Sequence, residues 1–234
     1  MWRRLPFEEH TATELLEGGL TLLDALAEDP RPALRWYRST DTALVLGRGQ
    51  RRELLHGGTL PVVGRYSGGG AVLMDPGLLC LDVLLPAGHL WLDGDLGRPF
   101  QLVGQGWCAA LDHLGVPDVS VHQEPTRSRT RGSERERLLA AVCYATLGRG
   151  EVTAGGRKLV GLAQRRRRPG ALIQCGLLRR WQPAPLLRAL GARHDDPEVL
   201  RAATGLDDLL TTPPTDSEVI ATVQHALERV EAAA

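Results

Sequence analysis

The chain has 234 residues, 43% of them apolar and 24% charged, with a formal net charge of zero. That length supports one sizeable core, and the neutral balance gives no bulk attraction to nucleic acid or an anionic membrane. No apolar run approaches the roughly 20 residues of a membrane span. Residues 1–9 also lack the apolar stretch of a secretory leader, so a cytoplasmic protein with reduced thiols is expected.

In chain order, Arg35–Arg38 and Ala43–Leu46 read as strands separated by the polar turn Ser39-Thr40-Asp41. Leu60–Val63 reads as a third strand and precedes the glycine cluster Ser67-Gly68-Gly69-Gly70. Ala71–Met74 and Leu78–Leu85 read as buried strands joined by Asp75-Pro76-Gly77, which is strong turn chemistry. The spacing of Leu102, Val103, Trp107, Ala110, Leu111 and Leu114 predicts a helix from Pro99 to Leu114. Gln123–Arg137 has no apolar residue and is expected to be a loop.

Strands are expected again at Ala140–Tyr144, Glu151–Ala154, Lys158–Gln164 and Ala171–Leu178, with Arg165–Arg168 and Pro169-Gly170 turning the last pair. Helices are expected over about 183–234. The last opens on the capping-box pattern Thr215-x-x-Glu218 and carries Ile220, Val223, Leu227 and Val230 on one face. Strand signals in the middle with helices at both ends indicate an α/β (α+β) domain around a mixed sheet. No linker divides it, so residues 1–234 are expected to form one catalytic domain.

Of the 28 basic residues one is lysine, Lys158, and 27 are arginine. Where arginine serves wherever a positive charge suffices, a surviving lysine is a candidate for chemistry that needs a compact, tunable ammonium. The four cysteines, Cys80, Cys108, Cys143 and Cys175, show no C-x-x-C pairing, so no metal site is expected.

Two segments carry a resemblance. Arg65-Tyr66-Ser67-Gly68-Gly69-Gly70-Ala71-Val72 resembles the R-x-S-G-G-G-A-V signature of lipoate–protein ligases and cysteine-dependent octanoyltransferases. Gly156-Arg157-Lys158 through Gly161, Ala163 and Gln164, and then Gln174-Cys175-Gly176, resemble their G-x-K-x-x-G-S-A-Q and L-Q-H-G segments. The likeness covers roughly residues 10–190.

It implies a class II synthetase/biotin-ligase-like domain, a mixed and mostly antiparallel sheet flanked by helices, that moves octanoyl or lipoyl groups. The substrate-binding set implied is Arg65, Ser67, Gly68, Gly69, Gly70, Ala71, Gly161, Ala163, Gln174 and Gly176. Consecutive glycines let backbone lie against an acyl group and point N–H groups at it, and Lys158 would stabilise the developing oxyanion.

The family's cysteine nucleophile stands fifteen residues before the motif lysine, where this chain has Cys143; Cys175 is the second candidate. The implied reaction takes the acyl group from acyl-carrier protein or another thioester to a lysine of a lipoyl-domain protein. It requires no cofactor. An ATP-dependent ligase, which would need ATP and Mg²⁺, is the alternative. It is weakened because Gly148-Arg149-Gly150-Glu151 keeps a carboxylate but not the family's Asn. A small amine acceptor and a non-catalytic lipoyl-binding subunit are further alternatives. Leu162, Met74 and Cys175 replace a Ser and two His of the family pattern, which is expected to alter the acyl group, the acceptor or the activity. The Arg-rich segments 127–137 and Arg165–Arg168 read as solvated loops able to steer acidic partners.

Overall fold

Leu78 to Pro86 is buried at every position, the pattern of a strand covered on both faces, and the molecule is built around it. The computed structural model describes residues 2–56, 59–125 and 133–234. Strands β1 (Arg3–Arg4) and β2 (Glu8–His10) precede helix α1 (Ala12–Ala25). Strands β3 (Ala33–Ser39), β4 (Ala43–Leu46), β5 (Val62–Gly64), β6 (Val72–Met74) and β7 (Leu78–Pro86) follow. Helix α2 (Arg98–His113) leads to β8 (Val119–Val121). Helix α3 (Glu134–Ala141) leads to β9 (Val152–Ala154), β10 (Arg157–Arg167) and β11 (Gly170–Leu178). Helices α4 (Ala184–Ala189), α5 (Pro197–Ala202) and α6 (Asp216–Ala233) complete the order.

The main sheet runs β1-β3-β7-β11-β10-β9-β8, with β2 also paired to β3. Pairs from β3 to β8 are antiparallel, while β1 and β2 lie parallel to β3. A second sheet, β5-β4-β6, carries the approach to the glycine cluster. This is the mixed, mostly antiparallel α/β arrangement expected from the sequence.

Strand parity divides the interior. Leu79, Leu81, Val83 and Leu85 of β7 pack with Trp36, Trp107 and Ile173 against α2 and α6. Leu78 and Cys80 face the other way, toward Leu15 and Leu16 of α1 and Tyr37. Helix α6 begins on the expected capping box, Thr215 with Glu218, and buries Val223 and Leu227. It approaches α2 closely because Gly106 lacks a Cβ, which would lie 2.6 Å from Leu227 Cδ2.

Three local expectations are corrected. The loop expected over 123–137 ends at Ser133, whose hydroxyl and Glu136 form a capping box that starts α3; residues 126–132 lie outside the described residues. The strand expected at Ala140–Tyr144 is instead the end of α3 followed by a 3-10 turn, Cys143–Ala145. Its apolar run packs one helical face, with Leu139 and Val142 buried beside Leu44 and Leu46, and strand pairing survives only as a bridge between Ala71 and Val142. Arg165–Arg167 belong to β10 rather than to a turn, and the hairpin closes over Arg168-Pro169.

Candidate functional site

The glycine cluster is folded by the arginine that precedes it. The Arg65 guanidinium donates to the carbonyls of Gly68 and Gly70, each at 2.8 Å, drawing the segment into a closed loop. Gly69 has φ +98°, a left-handed value suited to glycine. Gly47 packs on the Gly69 carbonyl with no room for a Cβ. Ser67 donates to Gln174 Oε1 at 3.0 Å, joining the loop to β11.

On its other side the loop lies against Cys143. The Ala71 N–H donates to Ala141 O at 2.7 Å and the Cys143 N–H donates to Ala71 O at 2.9 Å. Gln50 reinforces the junction: its Nε2 donates to Ala141 O at 3.0 Å while its Oε1 accepts from the Gly47 N–H at 3.0 Å.

Lys158 is buried behind Cys143. The β9–β10 register shifts between Lys158 and Val160. This bulge places Leu159 and Val160 together in the helix-side core and leaves Lys158 on the face of Gly161, where an added Cβ would be 3.3 Å from Lys158 Cε. Lys158 Nζ donates to Cys143 O at 2.8 Å and Thr146 O at 3.1 Å. It pairs with Glu151 Oε1 at 2.6 Å and sits 5.1 Å from the centre of the Tyr144 ring. The ammonium has three N–H groups, and all three are engaged.

Cys143 borders an open, mostly apolar cavity. Apolar side chains of Leu16, Val45, Val72, Met74 and Leu78 wall it, and Arg65, Gly161, Ala163, Gln174 and Gly176 border it. Tyr144 closes one side. Its hydroxyl donates to Gly176 O at 2.6 Å, its ring lies 5.7 Å from that of Trp181, and burial pushes its phenol well above the ordinary value. Gly161 and Gly176 are direct partners across β10 and β11, and the Tyr144 ring and hydroxyl occupy the space that side chains there would fill.

The two cysteine candidates occupy different surroundings. Cys143 is partly exposed and packs against the α1-side core. Cys175 also borders the cavity, but it is 3% exposed and belongs to the core that packs on α2 and α6. Strand parity resolves the difference: the cavity meets its backbone, and its side chain points to the far face. Burial pushes the Cys175 thiol well up, an effect that the neighbouring Trp107 indole offsets only in part.

Beneath the cavity lies a charged pair that no sequence motif marked. Arg35 donates to Asp82 Oδ2 at 3.0 Å and to Glu8 Oε2 at 2.7 Å, and the Tyr37 hydroxyl donates to Asp82 Oδ1 at 3.0 Å. Burial outweighs these partners and lifts the Asp82 carboxyl to about 6.

The site thus gathers Arg65, Cys143, Gly161, Ala163, Gln174 and Gly176 around one cavity. It sets Gly70 and Ala71 on the Cys143 turn and places Lys158 behind it. Gly68 and Gly69 form the clasped loop, and Ser67 joins through Gln174. Glu151, Tyr144 and Gln50 complete it. Glu151 had a signal as the carboxylate retained in the Gly148–Glu151 segment, and Gln50 as the end of the family-like Gly47–Gln50 stretch.

Residues 19–228 match the model of the lipoyl protein ligase A/B catalytic domain. The chain belongs to this family. Among curated members, octanoyltransferase LipM of an Exiguobacterium species is 33% identical over 153 residues, 62% of this chain and 53% of that protein. The octanoyltransferase LipM of Moorella thermoacetica is 31% identical over 151 residues, 62% and 52% of the two chains. The chain therefore spans about half the length of the curated relatives it matches. A crystal structure of lipoate-protein ligase A bound with ATP superposes with a TM-score of 0.71 at 20% identity, covering 98% of this chain and 85% of that one. A bipartite lipoate protein ligase from Thermoplasma acidophilum, described with its E2 lipoyl domain, gives 0.68 at 18% identity over 97% and 82%. Both share the lipoate-ligase fold.

Proposed function

We propose that residues 1–234 act as one catalytic domain that transfers an octanoyl-type acyl group from a carrier-protein thioester to a lipoyl-domain lysine, through a thioester on Cys143. The observation that carries this reading is the junction of an apolar cavity, a partly exposed cysteine in its wall, and the Lys158 ammonium bound to that cysteine's turn. The relatives named octanoyltransferase support the reaction class. The lipoyl domain described with the Thermoplasma ligase supports the acceptor class.

In the first step the Cys143 thiolate attacks the donor carbonyl, and the tetrahedral oxyanion collapses to expel the carrier thiolate, which takes up a proton. In the second, the neutral amine of the target lysine attacks the Cys143 thioester. The Cys143 thiolate leaves and the amine loses a proton, giving the amide. The Lys158 ammonium, bound to the carbonyls of Cys143 and Thr146, holds the turn that presents the thiol in place for both steps. No nucleotide enters either step.

The ATP-using alternative asks for a carboxylate able to hold a metal-bound nucleotide. Glu151 is already bound to Lys158 and to the N–H groups of Gly148 and Leu162. With both of its oxygens engaged in these contacts, Glu151 does not fit that role.

The test is intact-mass analysis after incubation with octanoyl-carrier protein. Wild type and Cys175→Ala should gain one hydroxylamine-labile octanoyl group, and Cys143→Ala none. A labile adduct that persists in Cys143→Ala overturns the assignment.

A further inference from the structure

Glu151 is buried just ahead of β9 and does not itself line the cavity, yet its ion pair with Lys158 leads to Cys143. Its Oε1 lies 2.6 Å from Lys158 Nζ and accepts from the Leu162 N–H at 3.2 Å. Its Oε2 accepts from the Gly148 N–H at 2.7 Å. The carboxylate is therefore fixed between a central strand and the tight turn of Gly148–Glu151. That turn is itself immobilised: Gly150 has φ +84° and fits against the α2 backbone at Phe100 and Gly104 with no space for a Cβ. Lys158, held by Glu151, spends its other two N–H groups on the carbonyls of Cys143 and Thr146, the two ends of the turn that presents the thiol.

We propose that Glu151 is a positioning residue: it holds the Lys158 ammonium at the point from which that ammonium fixes the Cys143–Thr146 turn against the cavity. The inference rests on the reading of Cys143 as the acylated thiol. It assigns Lys158 a structural grip on the nucleophile's backbone in the resting enzyme, because a cation with all three N–H groups engaged has none left for an incoming carbonyl. Neutralising Glu151 leaves the ammonium with two carbonyls and no counter-charge. The turn then loosens, and a reacting atom displaced by about 1 Å loses up to about a hundredfold in rate.

The experiment compares wild type, Glu151→Gln and Glu151→Asp in two assays. In acyl transfer from octanoyl-carrier protein, Glu151→Gln should lower kcat by about tenfold or more with KM within about twofold, and Glu151→Asp should recover much of the loss because the charge is kept. In alkylation by iodoacetamide, followed peptide by peptide, Cys143 should react several-fold faster in Glu151→Gln while Cys80 and Cys175 stay slow. A small reagent needs access, whereas acyl transfer needs orientation. If kcat stays within twofold of wild type, or if all three cysteines become reactive in parallel, Glu151 does not position the turn. Should Glu151→Gln not fold, Glu151→Asp carries the test, with the same selective pattern at smaller amplitude. If wild type accepts no acyl group, the transferase reading fails, and the Cys143 alkylation result still decides the role of Glu151 in holding the turn.

Discussion

Gly70 is where the glycine loop meets the Cys143 turn, and replacing it with alanine tests whether that contact holds the site together. A Cβ at Gly70 would lie 2.7 Å from Cys143 N, 2.8 Å from Val142 C and 2.9 Å from Ala141 O. All three are backbone atoms, so no side chain can swing aside. Overpacking of this kind costs about 1–3 kcal/mol. Separating the segments also stretches the bonds from Ala71 N to Ala141 O and from Cys143 N to Ala71 O, each contributing about 1 kcal/mol net. The restricted unfolded chain returns about 0.4–1 kcal/mol. The net is a destabilisation of about 2–4 kcal/mol, read as a fall in Tm of roughly 5–15 °C by differential scanning fluorimetry. Acyl transfer should fall by more than the unfolded fraction explains, because the thiol is displaced. Gly68→Ala is the matched control: its Cβ would meet nothing within 4 Å, so its Tm should be unchanged or slightly raised. A Gly70→Ala protein with wild-type Tm and wild-type transfer rate would refute the contact.

Asp82, lifted to about 6 by burial, binds its proton more tightly in the folded protein than in the unfolded chain, where a carboxyl titrates near 3.9. Its contribution to stability is therefore complete below about pH 4 and is lost as pH rises to about 6, a swing of ~3 kcal/mol. Urea denaturation from pH 4 to 7 should show that loss in wild type relative to Asp82→Asn, and parallel profiles for the two would contradict it. At the cavity wall, a Cβ on Gly176 would lie 2.8 Å from the Tyr144 hydroxyl. Gly176→Ala should accordingly be less destabilising in a Tyr144→Phe background than in wild type, by about 1 kcal/mol in a double-mutant cycle; additivity would show that the phenol oxygen is not the obstacle.

Most of the sheet could be read from periodicity, because Leu78–Leu85 and Ala171–Leu178 are buried on both faces and are bounded by strong turns. The Cys143 segment could not. Ala140–Tyr144 is a short apolar run, and such a run suits a buried strand and a helix end equally. The choice was made by Ser133 and Glu136, which start α3, and by the docking of Ala71 on Ala141 and Cys143. The site was legible as a set of motifs, since Arg65, Gly70, Cys143, Gly161, Gln174 and Gly176 do converge. Its internal wiring was not: the pairing of Glu151 with Lys158 depends on a bulge between Lys158 and Val160, and a strand read with strict alternation would turn that lysine to the other face.

The same alternation changes what the departures from the family pattern mean. Leu162, Met74 and Cys175 look in sequence like three changes around one pocket. In the fold, Leu162 and Cys175 are partners across β10 and β11, and both side chains enter the core that packs on Trp107 and α6. The leucine sits among apolar side chains, and the cysteine lies beside the Trp107 indole. Met74 packs on the cavity side, among Tyr37, Leu78 and Tyr144. A flexible, polarisable thioether there gives an adaptable apolar wall. Two of the three departures thus belong to the packing of the helix-side core, and Met74 is the one that packs in the α1-side cluster.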